Sequence, residues 1–338
     1  MNNQAIKGVN LGGWLVLEKW MTPELYAGSD APDEYHLLTD KKERSWLHTH
    51  RHTFITKDDF TWLKAHGIKT VRLPVGWWLF DADPPYVSAE ETFFNALSWA
   101  RDLDMTVVLD VHAAPGCQNG FDNGGLQGVI DWPNGDNVNK TLRFITTLVE
   151  KTKDWQCVIG LELLNEPFKT VDLELIQTFY KDAINIVRAI KGPDYLIIVH
   201  DGFRLFAWEH FFQALNDPSV FLDTHMYHVF GELPADASFD AIHALYEKRL
   251  TAITQVQKSV PVIIGEWSAP LLRDSEKTLH DTAHAAKRQQ LFDMQRHIFD
   301  QAAGWFFWNY TLSKESLKTH PGWSYRHLVE SAKALKKG

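Results

Sequence analysis

The chain has 338 residues, 45% of them hydrophobic, with 23% charged residues and a net charge of −9. Such a composition describes an ordinary soluble protein with a sizeable core, and its acidic balance gives no reason to expect nucleic-acid binding. No apolar run reaches the roughly 18 residues that a membrane helix needs, so no membrane span is expected.

In chain order, short runs rich in β-branched and aromatic residues predict strands near Ile6–Asn10, Thr70–Pro74, Thr106–His112 and Val158–Asn165, then near Leu196–His200, Phe221–His225, Val262–Glu266 and Gly304–Trp308. These runs fit strands buried on both faces. Helix-like segments lie between most of them: Lys57–His66, Ala89–Asp104, Val138–Lys153, Leu173–Lys191, Phe239–Lys258 and Thr278–Phe299. The alternation predicts an α/β fold, a single (β/α)8 TIM barrel. No Pro/Ser-rich linker or charge block divides the chain, so one catalytic domain over residues 1–338 is expected. The stretch Glu18–Thr56 is too long for a simple connection and is expected to run over the mouth or flank of the barrel.

Polar residues gather where the predicted strands end: Arg72, then Asp110 and His112, Asn165 and Glu166, His225 and Tyr227, Glu266, and Trp308. In a barrel these ends converge on one face. A carboxylate that follows four or five apolar residues is costly to bury unpaired, and here two do so, Glu166 and Glu266. Paired carboxyl groups on opposite walls suit glycosidic bond cleavage, in which one group protonates the leaving oxygen and the other is ionised. Arg72 is the candidate to hold Glu266 ionised. Glu166 is expected to keep its proton through burial and the neighbouring negative charge.

The motifs Leu164-Asn165-Glu166-Pro167 and Gly265-Glu266-Trp267 resemble those of glycoside hydrolase family 5, a clan A family of retaining glycosidases on (β/α)8 barrels. Three further runs are most similar to the exo-β-1,3-glucanases of that family: Gly8 to Glu18, His112 to Asn123, and Gly304 to Trp308. The resemblance implies that Glu166 is the acid/base and Glu266 the nucleophile. It further implies that Arg72 supports the nucleophile, Asn165 binds the sugar 2-hydroxyl, and His112 holds another hydroxyl of the −1 sugar. His225 would adjoin the acid/base, Tyr227 would donate to Glu266, and Trp308 would form the floor of the −1 subsite. Glu18 would bind hydroxyls of the non-reducing terminal glucose, and Phe121 and Phe230 would clamp the +1 sugar. Two departures stand out. Met226 lies where the family has a histidine or other polar residue, and Asn309-Tyr310-Thr311 follows Trp308 where Thr-Trp-Lys is usual, a change expected to alter the rim near the aglycone.

The expected activity is release of glucose from the non-reducing end of β-glucans or β-glucosides, as in an exo-β-1,3-glucanase or β-glucosidase. The alternatives are an endo-acting β-1,4-glucanase or mannanase of the same family and, from another class, an inactive glycan-binding barrel. The chain is expected to act as a monomer on its glycan substrate, with no metal, organic cofactor, membrane or nucleic-acid partner. No signal peptide is visible, which suits a cytoplasmic protein or the mature form of a secreted one. Cys117 and Cys157 have no ligand-like spacing. The alternating His48, His50 and His52 resemble metal ligands but read as a solvated face. The 14 Trp residues divide between core packing and sugar platforms.

Overall fold

The computed structural model describes residues 5–335 apart from 235, 273, 275–277 and 280. Eight parallel strands close into one barrel in chain order. They are β1 (Ile6–Asn10), β2 (Thr70–Gly76), β3 (Thr106–Ala113), β4 (Val158–Glu162), β5 (Leu196–His200), β6 (Val220–His225), β7 (Val262–Trp267) and β8 (Gly304–Phe307). Every expected strand is present. The one clear boundary error is β4, which leaves the ladder at Glu162 and not at Asn165. Beyond it Glu166 adopts a left-handed φ of +46°, and Pro167 has no N–H to offer a neighbouring strand.

The outer helices include α3 (Lys57–Ala65), α4 (Glu90–Asp102), α5 (Asn137–Lys151), α6 (Leu173–Lys191), α7 (Glu209–Leu215), α8 (Phe239–Val256) and α9 (Thr282–Phe299). Side-chain caps set the starts of four of them. Thr56 and Asp59 form a reciprocal capping box on α3, and Asp172, Ser238 and Asp281 cap α6, α8 and α9. Periodicity gives no sign of the short α7 or of α10 (Tyr325–Leu335). The latter packs against α9 behind β8.

The long connection after β1 carries α1 (Glu34–Asp40) and α2 (Ser45–Thr53). It has a small core of its own, in which Leu17, Tyr26, Ala31, Leu37, Leu38 and Leu47 pack together. Two buried side chains tie α1 and α2 back to the segment that leaves β1. His50 contacts the Gly13 carbonyl at 2.8 Å, and Glu34 accepts from the Leu17 N–H at 2.9 Å. The excursion is therefore a fixed wall beside the end of β1.

Inside the barrel, Val108, Leu196, Ile198, Ile263 and Phe306 form one apolar cluster. Side chains alternate along a strand, so the same faces continue upward as Asp110 and His112 on β3, His200 on β5, and Trp308 just after β8. The interior thus changes from apolar to polar toward the C-terminal ends of the strands.

Candidate active site

The polar layer is organised by Arg72, which is fully buried. Its Nε donates to Glu162 Oε2 at 2.7 Å and its Nη2 to Asn165 Oδ1 at 2.8 Å, while Nη1 donates to Asn10 Oδ1 at 2.8 Å and Glu266 Oε1 at 3.1 Å. Asp110 Oδ2 lies 3.1 Å from Nη2. One planar cation therefore joins β1, β2, β3, β4 and β7, a task that suits a guanidinium fork. Asp110 Oδ2 also contacts His112 Nδ1 at 2.6 Å, which leaves His112 Nε2 to face elsewhere.

Glu166 and Glu266 share one neighbour. His225 Nδ1 lies 2.6 Å from Glu166 Oε1 and 3.4 Å from Glu266 Oε2. Those two oxygens can be no further apart than these distances combined, about 6 Å, which lies near the ~5–5.5 Å of retaining enzymes and below most of the inverting range. Tyr227 donates to Glu266 Oε2 at 2.7 Å, and Asn123 Nδ2 donates to Glu166 Oε2 at 3.2 Å. Asp223 Oδ2 receives the other side of the His225 ring at 3.3 Å. Asp223 also fixes the backbone of β7, for the Gly265 N–H donates to its Oδ1 at 2.5 Å. A Cβ on Gly265 would sit 1.9 Å from Asp223 Oδ2, so only glycine permits this approach.

The electrostatics reverse the expectation that Glu166 holds the proton. His225 is buried among the Glu266, Asp223 and Glu166 carboxylates, and their combined charge lifts its pKa well above the usual imidazole value. Burial raises the Glu166 carboxyl, but the His225 cation outweighs it and brings the value down to about 2. Glu266 moves upward: burial and the Glu166 charge outweigh His225 and Arg72. Both shifts favour the proton on His225 in the ligand-free site, at the short contact with Glu166. Sequence reasoning placed His225 beside Glu166 by resemblance, but weighed only burial and the neighbouring negative charge when it assigned the proton.

Other expected residues flank this centre. Trp308 is buried and stacks over His112, with centroids 5.4 Å apart and planes 7° from parallel. A Cβ on Gly12 would lie 2.5 Å from the Trp308 ring, so the glycine makes room for the indole. Glu18 is buried, not on the surface, and its Oε2 accepts from Trp20 Nε1 at 2.8 Å. Burial first, then Asp122, Glu266 and Glu166, raises its pKa. His112 Nε2, Asn165 Nδ2 and Glu18 Oε1 are all buried without a hydrogen-bond partner among the described residues, a condition proteins normally avoid unless a ligand completes it. Phe121 and Phe230 are exposed, at 38% and 72%. Phe230 packs on Tyr227 and Trp323, and Phe121 precedes the turn that delivers Asn123.

Several site residues escaped the sequence reading. Asn10, Glu162 and Asp223 hold Arg72 and His225, Trp20 and Trp323 support Glu18 and Tyr227, and Asp110, read only as a polar strand end, holds Arg72 and His112. For the polar residues the only signal was position at or near a strand end, which many structural residues share; Trp20 and Trp323 lie away from the strands. The departures noted above lie away from the rim. Met226 packs into the outer core, and Asn309 is buried behind Trp308, where its side chain pairs with both backbone groups of Gly12. Tyr310 is likewise buried and donates to Asp59. Nor is the histidine trio uniformly solvated: His50 is buried, whereas His48 and His52 are exposed. Of the tryptophans, Trp14, Trp132, Trp208 and Trp267 are fully buried packing groups.

The model of the cellulase family, glycosyl hydrolase family 5, matches residues 35–312. The chain belongs to glycosyl hydrolase family 5. This family 5 protein is a glycoside hydrolase. It is 32% identical to a probable glucan 1,3-beta-glucosidase A of Emericella nidulans, over 96% of this chain and 89% of that one. It is 31% identical to a glucan 1,3-beta-glucosidase of Candida oleophila, over 97% and 88%. Among solved structures it is similar to a rutinosidase from Aspergillus niger, with a TM-score of 0.80, 19% identity and 98% of each chain covered. The Thermotoga maritima Cel5A structure with cellobiose superposes with a TM-score of 0.58 at 17% identity, again over 98% of each chain. These last two likenesses concern the barrel fold. Among the described residues no helix is long and apolar enough to cross a membrane.

Proposed function

We propose that this family 5 enzyme releases glucose from the non-reducing end of β-1,3-glucans or related β-glucosides by double displacement. The observation that carries the reading is His225 Nδ1, in reach of both Glu166 and Glu266. The two carboxylates can then serve one anomeric carbon in turn. Glu266 attacks that carbon and the glycosidic C–O bond breaks. The leaving oxygen takes a proton that passes from His225 to Glu166 across their 2.6 Å contact and on to the oxygen. Glu166, again ionised, takes a proton from water and returns it to His225, while the water oxygen attacks the same carbon and displaces Glu266. Two inversions retain the configuration. Neither a cofactor nor a second subunit enters these steps.

Arg72 and Tyr227 hold Glu266, and Trp308 forms the floor of the −1 subsite. Asn165 Nδ2, His112 Nε2 and Glu18 Oε1, the partnerless atoms, bind the sugar hydroxyls. Glu18 and the wall built by the excursion after β1 close the site behind the terminal glucose, which favours exo action. Phe121 and Phe230 hold the +1 sugar. The names of the relatives favour the β-1,3 linkage over the endo β-1,4 alternatives.

The test combines two variants and a product analysis. Glu266→Ala should lose aryl β-glucosidase activity by roughly 10^4-fold or more; turnover near wild type refutes the nucleophile. In Glu166→Ala, azide should restore turnover as a glycosyl azide of retained configuration, and its failure removes the acid/base. Laminari-oligosaccharides should release glucose alone at early times. An early ladder of oligomers, or preference for cello- or manno-oligosaccharides, would replace the substrate reading.

A further inference from the structure

His200 ends β5 and takes no part in the steps above, yet its ring is held by Gly202, His225 and Phe203. The Gly202 backbone N–H donates to Nδ1 at 3.0 Å, so a neutral ring must carry its proton on Nε2. Burial and the neighbouring His225 cation keep the ring neutral, its pKa pushed down to about 3. His225 packs edge-on with centroids 4.4 Å apart, and Phe203 closes another side at 5.3 Å. The residue is fully buried, and Nε2 has no hydrogen-bond partner among the described residues. A ring nitrogen of His200 lies within 4.8 Å of both a Glu166 oxygen and a His225 nitrogen. An unspent donor fixed this firmly beside the acid/base needs a physical reason.

We propose that His200 is a positioning residue for Glu166, whose Nε2–H serves the Glu166 carboxylate, directly or through one bridging water, once the His225 proton that faces it has been passed on. This inference rests on the assignment of Glu166 as acid/base. After the leaving group has taken the proton, the cation that faced Glu166 is discharged. A neutral N–H with a fixed tautomer is then the donor that stabilises the anion without competing for its proton. The other groups facing this pair are His225 and Asp223 from β6, Glu266 from β7, Arg72 from β2, Asp201 beside it in the chain and the Asn123 amide. The edge-on contact with His225 also helps to hold that imidazole against Glu166.

The full-length enzyme with His200→Leu and with His200→Gln separates this role from packing, since glutamine restores a donor near the Nε2 position and leucine does not. Glucosides of graded leaving-group pKa should show His200→Leu losing about tenfold in kcat/KM on poor leaving groups, with the loss shrinking for dinitrophenyl glucoside. Without the donor the Glu166 anion is less stable, so the alkaline limb of kcat/KM should move to higher pH. His200→Gln should recover most of both effects. Equal losses on all leaving groups with an unshifted limb, or glutamine behaving like leucine, overturns the proposal. If the leucine variant does not fold, His200→Asn replaces it, because its amide reaches the Nδ1 position; identical profiles for Asn and Gln then overturn it. Azide rescue of Glu166→Ala isolates the two ideas. Rescue without a His200 effect sinks only this inference, whereas absence of rescue sinks the acid/base assignment beneath it.

Discussion

Arg72 donates to Glu266 Oε1 at 3.1 Å while its Nε donates to Glu162 Oε2 at 2.7 Å, so a single guanidinium ties a carboxylate on β7 to one on β4. Both contacts are buried, and both depend on the planar fork. Arg72→Lys keeps the charge but offers one point where several directed donors are needed. Asp110 and Glu162 would then lie buried with too few partners, an error that costs about 3–5 kcal/mol. The variant should therefore melt well below wild type, and the fraction still folded should have reduced kcat with KM less affected. A melting temperature and kcat near wild type would show that the site does not depend on this hub.

The pH profile follows from His225. Its pKa lies above the ordinary 6.5 in the folded protein, so the protonated site is fully present below pH 6.5 and is lost as pH rises through the raised value. The salt bridges of His225 add stability over the same window and lose it in the same direction. The Glu266 value is raised above 4.5, which sets the acidic limb of kcat/KM above the usual glutamate range. His225→Asn removes the cation and leaves one proton for two glutamates, so the alkaline limb should move to lower pH and total activity should fall. An alkaline limb unchanged in that variant, measured with an aryl glucoside, would place the titrating group elsewhere.

Gly12 and Trp308 make a steric prediction. Alanine at position 12 puts its Cβ 2.5 Å from the Trp308 ring, and the ring cannot stay where it is. Overpacking of this sort costs about 1–3 kcal/mol when the neighbours can shift. Trp308 stacks on His112, so the displacement should reach the −1 floor. Gly12→Ala should raise KM for glucosides by about tenfold or more, with a small fall in melting temperature. Unaltered kinetics would mean that Trp308 is a packing group and not the floor of the sugar site.

Much of the architecture was legible in the sequence because it is written in local signals. Strands such as Val262–Glu266 are apolar runs buried on both faces, and helices such as Leu173–Lys191 carry a periodic apolar stripe and a capping aspartate. The two glutamates stood out because a carboxylate at the end of an apolar run has few innocent explanations. The left-handed turn at Glu166 was not legible, since it depends on contacts that β4 makes only inside the closed barrel.

What the sequence by itself determined is the order of strands and helices and which polar side chains reach one face, for both follow from periodicity along the chain. Only the tertiary structure decided where the proton sits and which side chains hold the acids in place. Those outcomes depend on distances between residues far apart in sequence, above all His225 lodged between Glu166 and Glu266, and on burial that turns such proximity into large electrostatic effects. The same closure turned Glu18 from a residue that could have lain on the surface into a buried carboxylate beside Trp20.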